Sequence, residues 1–305
     1  MVAPRIAVGP RPGSFAVDAV RSGGGTVVDV DDRPEALMWL GHDMDTLAAV
    51  LSDVPDLRWI QLPSAGIERV VEAGLLDARF TWTCAKGAFA EPVAEHALTL
   101  ALAGLRLLPE RVRAHGWGAQ GGSSLYDERV TILGAGGITA ALLAHLAPFR
   151  VHTTVVRRSP DPLPGASRTL PLAELPDALA GSLVVFLALA LSPETTGIIG
   201  SAAFGHMDER AWLVNIARGR HVETDALVEA LAQGYIAGAA LDVTDPEPLP
   251  DGHPLWSVPN CIITPHTADT TEMVRPLLAE RIRTNVVRYI AGDELVGLVD
   301  PEAGY

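Results

Sequence analysis

The chain has 305 residues, 48% of them apolar, which is enough for two domains with separate cores and too apolar for a disordered chain. Its net charge of −14 argues against nucleic acid and anionic membranes as partners, so an anionic ligand must be held by local positive groups. The two cysteines, Cys84 and Cys261, stand far apart and outside any metal-ligand spacing. They read as reduced core residues of a cytoplasmic protein, with no metal site, signal peptide or membrane-spanning run in view.

Residues 5–9 (RIAVG), 26–30, 36–40 (ALMWL), 57–62 (LRWIQL) and 80–84 (FTWTC) predict five short strands. Helices are predicted between them at 14–22, capped by Ser14, at 45–51, and starting at 67–72. This alternation predicts an α/β fold with a parallel sheet and helices on both faces. Ligands of such sheets sit at the carboxyl ends of strands, which nominates Leu40, Gly41, Ser64, Ala65 and Gly66 as pocket residues. Trp39 reads as an ordinary core aromatic. One long helix is predicted over 91–113, with Pro92 in its first turn. Glu95 and His96 lie on it, without the second histidine that a metal would require. A polar, glycine-rich loop follows at 115–126.

The stretch 130–138 (VTILGAGGI) is a strand, a tight turn and the start of a helix. Gly134 and Gly136 stand in the register of the dinucleotide fingerprint G-x-G-x-x-G. The first glycine permits the turn, and the second lets a pyrophosphate approach the free N–H groups of the helix. Thr139 occupies the third position, where Gly or Ala is usual, and loosens the match. About twenty residues beyond Gly136, after the apolar run 151–156, an NAD-binding domain would place a carboxylate on the ribose. This chain has Arg157, Arg158 and Ser159 there, which suit a 2′-phosphate, and no carboxylate to repel it. The expectation is NADP, with NADPH preferred and NAD possible.

The run 183–191 (LVVFLALAL) predicts a central strand buried on both faces, followed by Ser192, Pro193, Glu194 and Thr195. Further strands are predicted at 211–216, 236–243 and 261–264, and helices at 223–233 and 270–291. Arg218, Glu247 and His266 stand at or just beyond carboxyl ends of these buried strands and would converge on one cleft. The trio suits reduction of a 2-keto acid. His266 would donate a proton to the carbonyl oxygen, and Glu247 would fix the imidazole tautomer and favour its protonated form. Arg218 would clamp the substrate carboxylate and polarise the carbonyl. Each residue also has a bland reading, as an ion pair, a solvated loop residue or a satisfied polar group.

Several segments in order give the chain a resemblance to the D-isomer-specific 2-hydroxyacid dehydrogenases, and among them to the glyoxylate and hydroxypyruvate reductases. They are LRWIQLPSAGIE, GAFAEPVAEHAL, TILGAGGI, LALALSPETTGIIG, LVNIARG, ALDVTDPEPLPDGHPLW and NCIITPHTA, together covering nearly the whole chain. The resemblance implies two Rossmann-like/flavodoxin-like domains with parallel sheets and an interdomain active-site cleft. The substrate (catalytic) domain would be discontinuous, 1–98 plus 272–305, and the dinucleotide-binding domain 99–271. It implies catalytic roles for Arg218, Glu247 and His266. It implies cofactor contacts from Gly134, Gly136, Gly137, Ile138, Arg157, Arg158, Ser159, Leu189, Ser192, Thr195, Ile216, Ala217, Asp242 (on the nicotinamide side) and Ala268. Substrate contacts would come from Leu40, Arg218 and the backbone N–H groups of Ala65 and Gly66. A homodimer formed through the nucleotide domains is usual in the family. Thr139, Ala190 (often proline in the family) and Arg157-Arg158 are the departures. The implied reaction is reduction of a small 2-keto acid to the D-2-hydroxy acid. The alternatives are a D-3-phosphoglycerate or other D-2-hydroxyacid dehydrogenase, and a binding protein that senses nicotinamide redox state. Only Arg69 and His42 offer extra positive charge for a phosphorylated substrate, and the intact trio argues against a sensor.

Overall fold

The computed structural model describes residues 3–159 and 161–300. The chain divides into two compact units. One runs to Phe89 and resumes at Thr270, and the other spans Ala90–Asp269.

The first unit contains β1 (Arg5–Gly9), α1 (Ser14–Ser22), β2 (Thr26–Val28), β3 (Ala36–Trp39), α2 (Met44–Asp53), β4 (Trp59–Gln61), α3 (Glu68–Glu72), β5 (Thr81–Thr83) and the C-terminal helix Thr271–Ala291. Its strands form a parallel sheet in the order β2-β1-β3-β4-β5. The crossovers are right for a doubly wound fold of the flavodoxin type. Every residue of β3 and β4 is buried, as strands covered on both faces require, and Trp39, Trp59 and Trp82 fill the core. α1 begins after Gly13 and has no side-chain cap, so Ser14 does not cap it as expected. Asp43 does cap α2, its carboxylate accepting from the N–H groups of Asp45 and Thr46. The C-terminal helix stops at Gly292, whose φ of 75° closes it in the left-handed region.

The second unit contains α4 (Ala90–Leu105), α5 (Leu108–Arg113), β6 (Arg129–Leu133), α6 (Gly137–Leu146), β7 (His152–Val156), β8 (Arg168–Leu170), α7 (Leu175–Leu179), β9 (Val184–Leu187), α8 (Ser201–Phe204), β10 (Trp212–Asn215), α9 (Thr224–Gln233), β11 (Gly238–Leu241) and β12 (Cys261–Ile263). The predicted single helix over 91–113 is broken. Leu107 turns left-handed at φ 55°, and Pro109 stands in the first turn of the new helix α5, where its missing N–H costs nothing. Gly104 near the end of α4 packs on Trp212 so closely that a Cβ would lie 2.4 Å from the ring. The apolar run after Leu183 is strand only to Leu187, and the chain then rises into a loop whose Ala190 is exposed.

This sheet is parallel throughout, in the order β12-β11-β10-β9-β6-β7-β8. The order reverses between β6 and β9, and a ligand crevice opens at such a switch point beyond the carboxyl ends of the strands. A separate cavity of about 370 Å³, lined by residues including Trp212 and Ala237, lies at the amino ends of β10 and β11, away from that crevice. No helix among the described residues is long and apolar enough to cross a membrane.

Candidate active site

The glycine turn fits a dinucleotide. Gly134 has φ 108°, and a Cβ there would lie 2.2 Å from the Ala188 carbonyl oxygen. Positive φ and close approach of β6 to the chain leaving β9 both demand glycine at the switch point. A Cβ on Gly136 would meet nothing within 4 Å, so the space over the N-terminus of α6 is open, and Gly136 caps that helix with no side-chain bond. The N–H groups around Gly137 and Ile138 are those a pyrophosphate would take. Thr139, the departure from the fingerprint, is fully buried, and its hydroxyl donates to the Gly134 carbonyl at 3.0 Å, inside the same bend.

At the end of β7, Arg157 is half-buried and Arg158 exposed, as a 2′-phosphate site would have them. The surroundings are less cationic than the sequence implies. The Ser159 hydroxyl donates to the carboxylate of Asp161, and Arg158 lies within electrostatic reach of Glu194. The carboxylate near the pair is thus Glu194, on the loop after β9.

After β9 the loop closes on its own hydroxyls. Thr195 Oγ1 donates to the Ala190 carbonyl at 2.9 Å and accepts from the Ser192 N–H at 2.8 Å, and Ser192 Oγ donates to Glu194 at 2.7 Å. Leu189 packs against the apolar core beneath.

Arg218 sits just past β10 on a turn held by buried Asn215. The Asn215 side-chain Oδ1 accepts from the Ala217 N–H at 3.1 Å, and its Nδ2 donates to the Arg218 carbonyl at 2.9 Å. Ile216 and Ala217 are buried below it. The Arg218 guanidinium donates to the Ala217 carbonyl at 2.7 Å. Gly219 explains the Arg-Gly pair. A Cβ there would lie 1.9 Å from the Thr244 carbonyl oxygen, so only glycine lets the Arg218 turn lie on the loop that leads to Glu247.

His266 follows β12, and its Nδ1 lies 2.6 Å from Glu247 Oε1. Both side chains are roughly half exposed. The contact leaves Nε2 as the outward nitrogen, as the sequence reading requires of an acid. His266 also has φ 49°, a left-handed conformation that costs a non-glycine residue roughly 1–2 kcal/mol. Asp242, at the end of β11, holds it there. The His266 N–H donates to the Asp242 backbone carbonyl at 2.8 Å. The next two N–H groups, of Thr267 and Ala268, donate to the Asp242 carboxylate at 2.9 and 3.0 Å. Thr264 Oγ1 adds a donor at 2.5 Å, and His96 Nε2 stands 3.3 Å from the same oxygen and 3.1 Å from Thr264 Oγ1. Burial alone would raise the Asp242 carboxyl. The His96 and Thr264 side chains and the two backbone donors outweigh it and lower the carboxyl to about 2.

Asp269 completes the picture. Burial raises its carboxyl, His266 lowers it, Asp242 raises it and Arg218 lowers it, so His266 and Arg218 both lie within electrostatic range of one carboxylate. Asn215, Asp242 as a backbone anchor, His96 and Asp269 were not assigned these positions from sequence. Periodicity places them on elements but does not reveal which loop N–H groups they meet. In the sequence His96 stands out only as half of a Glu-His pair that lacks the second histidine a metal would require. In the other unit, Leu40 follows β3, its N–H donating to the Gly9 carbonyl at 2.6 Å. Ser64 Oγ donates to the Gly66 carbonyl at 2.6 Å, with Ala65 between them in the turn after β4.

A histidine paired with a glutamate, an arginine within range of the same Asp269 carboxylate as that histidine, and a glycine turn at the switch point of a parallel sheet stand together at the strand ends of the second unit. The chain belongs to the D-isomer specific 2-hydroxyacid dehydrogenases, whose NAD binding domain model matches residues 96–268. Members of that family are oxidoreductases acting on CH–OH groups. An uncharacterized protein from the proB 3′ region of Corynebacterium melassecola is 41% identical over 260 residues, 83% of this chain and 86% of that one. The glyoxylate reductase/hydroxypyruvate reductase of Homo sapiens is 35% identical over 214 residues, 67% of this chain and 65% of that enzyme. The crystal structure of a D-isomer specific 2-hydroxyacid dehydrogenase from Xanthobacter autotrophicus Py2, in complex with NADPH and MES, superposes with a TM-score of 0.86 at 28% identity, covering 100% of both chains.

Proposed function

We propose that the protein reduces a small 2-keto acid of the glyoxylate or hydroxypyruvate type to the D-2-hydroxy acid, with NADPH preferred over NADH. The observation that carries this reading is the 2.6 Å contact between His266 and Glu247 on a loop packed against the Arg218 turn. When bound, the nicotinamide supplies a hydride to the carbonyl carbon. Negative charge then grows on the carbonyl oxygen, and His266 Nε2 donates the proton that quenches it. Glu247 holds Nδ1 and so fixes the orientation of the ring. Arg218 receives the substrate carboxylate and directs charge toward the carbonyl. The human relative's name supports the substrate class. The NADPH complex of the Xanthobacter structure supports the cofactor, together with Arg157 and Arg158.

The residues of the second unit that would hold the dinucleotide are Gly134, Gly136, Gly137 and Ile138 at the pyrophosphate, and Arg157 and Arg158 at the 2′-phosphate. Leu189, Ser192, Thr195, Ile216, Ala217, Asp242 and Ala268 would flank the nicotinamide half. Self-association through this unit is part of the same reading. Leu108, Val112, Trp117 and Tyr126, on α5 and the loop after it, expose large apolar surface, with Trp117 98% exposed. The buried free thiols of Cys84 and Cys261 accord with a cytoplasmic location.

The test is the loss of absorbance of NADPH and NADH, in parallel, with glyoxylate and hydroxypyruvate. Rapid oxidation of NADPH and slow oxidation of NADH is the expected result. Replacing both arginines (Arg157→Ala with Arg158→Ala) should raise the KM for NADPH at least tenfold and leave that for NADH nearly unchanged. Equal use of both cofactors by the unaltered enzyme would return the arginine pair to a surface role, with Asp161 and Glu194 offsetting its charge. Inactivity toward a broad 2-keto acid panel would remove the substrate reading.

A further inference from the structure

His221 lies three residues past Arg218 and is fully buried. Its Nδ1 stands 3.2 Å from the Arg218 backbone nitrogen, and its Nε2 stands 3.3 Å from the Ala190 carbonyl oxygen. A backbone N–H can only donate, so Nδ1 accepts there and carries no proton. A carbonyl can only accept, so Nε2 carries the proton. The network thus assigns the neutral Nε2–H tautomer. Nδ1 also stands 3.0 Å from the Arg218 carbonyl, but that oxygen already accepts from the Asn215 amide at 2.9 Å and from the His221 backbone N–H at 3.2 Å, which occupies both of its lone pairs.

The imidazole therefore joins two segments. One is the turn that presents Arg218. The other is the loop after β9, which carries Leu189, Ser192 and Thr195 and whose Ala190 carbonyl also receives the Thr195 hydroxyl. Backbone bonds run alongside: Gly197 N–H to the Arg220 carbonyl at 2.9 Å and Ile199 N–H to the His221 carbonyl at 3.0 Å. The seam between the segments is thus zipped by backbone away from the site, and by the His221 side chain at the end nearest Arg218. An apolar residue could fill this space without holding either segment.

We propose that His221 is a positioning residue that couples the substrate-carboxylate clamp, Arg218, to the cofactor-side loop 188–196. The proposal rests on the role given to Arg218 above. Through Nδ1 the ring fixes the backbone from which the guanidinium extends. Through Nε2–H it fixes the carbonyl on which the Ser192–Thr195 loop closes. Neither bond touches substrate or cofactor.

Two isosteric variants separate the two bonds. His221→Asn keeps an acceptor where Nδ1 lies and has nothing at Nε2. His221→Gln keeps a donor where Nε2 lies and has no acceptor at Nδ1. A net hydrogen bond of this kind is worth about three- to tenfold in an equilibrium constant. His221→Asn should weaken NADPH binding, titrated by fluorescence without substrate, about three- to tenfold and leave the KM for glyoxylate within about twofold. His221→Gln should do the reverse, and His221→Leu should impair both. Melting temperatures measured on the same samples report any general loss of packing. Equal shifts in both constants for the Asn and Gln variants, or a lowered melting temperature with both constants unchanged, would overturn the proposal. An unaltered enzyme that turns over no 2-keto acid would remove the reading of Arg218 and this coupling with it. An active enzyme with indistinguishable Asn and Gln variants would remove the coupling alone.

Discussion

Both units bury polar side chains, but they use them differently. In the first unit, Trp59, Gln61, Thr83 and Asn285 form a network sealed in the core. The Trp59 indole donates to Thr83 Oγ1 at 2.8 Å, Thr83 Oγ1 donates to Gln61 Oε1 at 2.9 Å, and the Asn285 amide donates to the same Gln61 oxygen at 2.9 Å. Asn285 also exchanges bonds with the backbone of Val296 at 2.9 and 2.8 Å, fastening the chain after the C-terminal helix. In the second unit, Asn215, Asp242 and His221 are equally buried, yet each of them bonds the backbone of a loop at the strand ends. The first arrangement secures a fold. The second sets the positions of Arg218 and His266, and the neighbouring residues there carry the strain and the polar side chains left exposed. A satisfied buried polar group is costly to break in either place, so stability alone does not tell the two uses apart.

The largest separation comes from the exposed histidine itself. His266→Ala should lower turnover of a 2-keto acid by about 100- to 10,000-fold. NADPH binding, measured by fluorescence titration, should persist. Persistent turnover would assign the proton to another group.

Asp242→Asn is expected to come next, because it acts on the loop and not on the acid. The amide cannot accept from Thr264, Thr267 and Ala268 as the carboxylate does, and each charged hydrogen bond is worth about 1.5–3 kcal/mol. Turnover should fall at least tenfold, the left-handed turn at His266 being no longer held. The same residue predicts a pH dependence. Its folded carboxyl, lowered to about 2, lies below the ordinary value of 3.8. Its stabilisation is therefore complete above about pH 5 and is lost as pH falls through about 4 toward 2. Urea unfolding at pH 6, 4 and 3 should show a steeper acid loss in the unaltered protein than in Asp242→Asn. Parallel curves would mean that the carboxylate is not the anchor.

Asn285→Ala tests the opposite side of the comparison. It removes one of the two donors to Gln61 Oε1 and leaves the Val296 N–H and carbonyl without their side-chain partner, and should cost about 2–4 kcal/mol in unfolding free energy, each orphaned group adding about 1–3. At temperatures where the protein remains folded, its dissociation constant for NADPH should equal that of the unaltered chain. A shift in cofactor affinity would show that the sealed network is not confined to stability.

The same contrast explains what the sequence reveals. Arg218, Glu247 and His266 are legible because each stands at or just beyond the end of an apolar run, where an ionisable residue has little structural reason to be. Gly134 and Gly136 are legible because glycine spacing records backbone geometry directly. Asp242 is visible as an acid ending a strand and, through the family resemblance, as a nicotinamide-side residue, but its anchoring of the turn is not, since the N–H groups it receives come from a loop more than twenty residues away. His221 looks like any polar residue after an Arg-Gly turn, and its burial depends on the loop after β9 folding back over it. The break at Leu107 had a local signal in Pro109, but the strong apolar pattern on either side concealed it. Asp161 lies close to Ser159 in sequence, yet the hydroxyl's choice of partner is settled only by the shape of the loop.

Thr139 gives the smallest expected effect and the finest test of that contrast. As a departure from the fingerprint it implies weakened cofactor binding, whereas its position implies the reverse. The side chain is wholly buried and its hydroxyl meets the carbonyl of the glycine that makes the turn. Thr139→Ala restores the residue type the fingerprint expects and deletes this bond, worth about 0.5–1.5 kcal/mol net. It also leaves space for only a methyl-sized rearrangement in a packed interior. If the hydroxyl braces the cradle, the variant should bind NADPH about two- to fivefold more weakly and melt slightly lower. A variant that bound NADPH more tightly would show that the larger side chain holds α6 away from β6. The motif would then have been the better guide, and the hydrogen bond a local repair of a misfit.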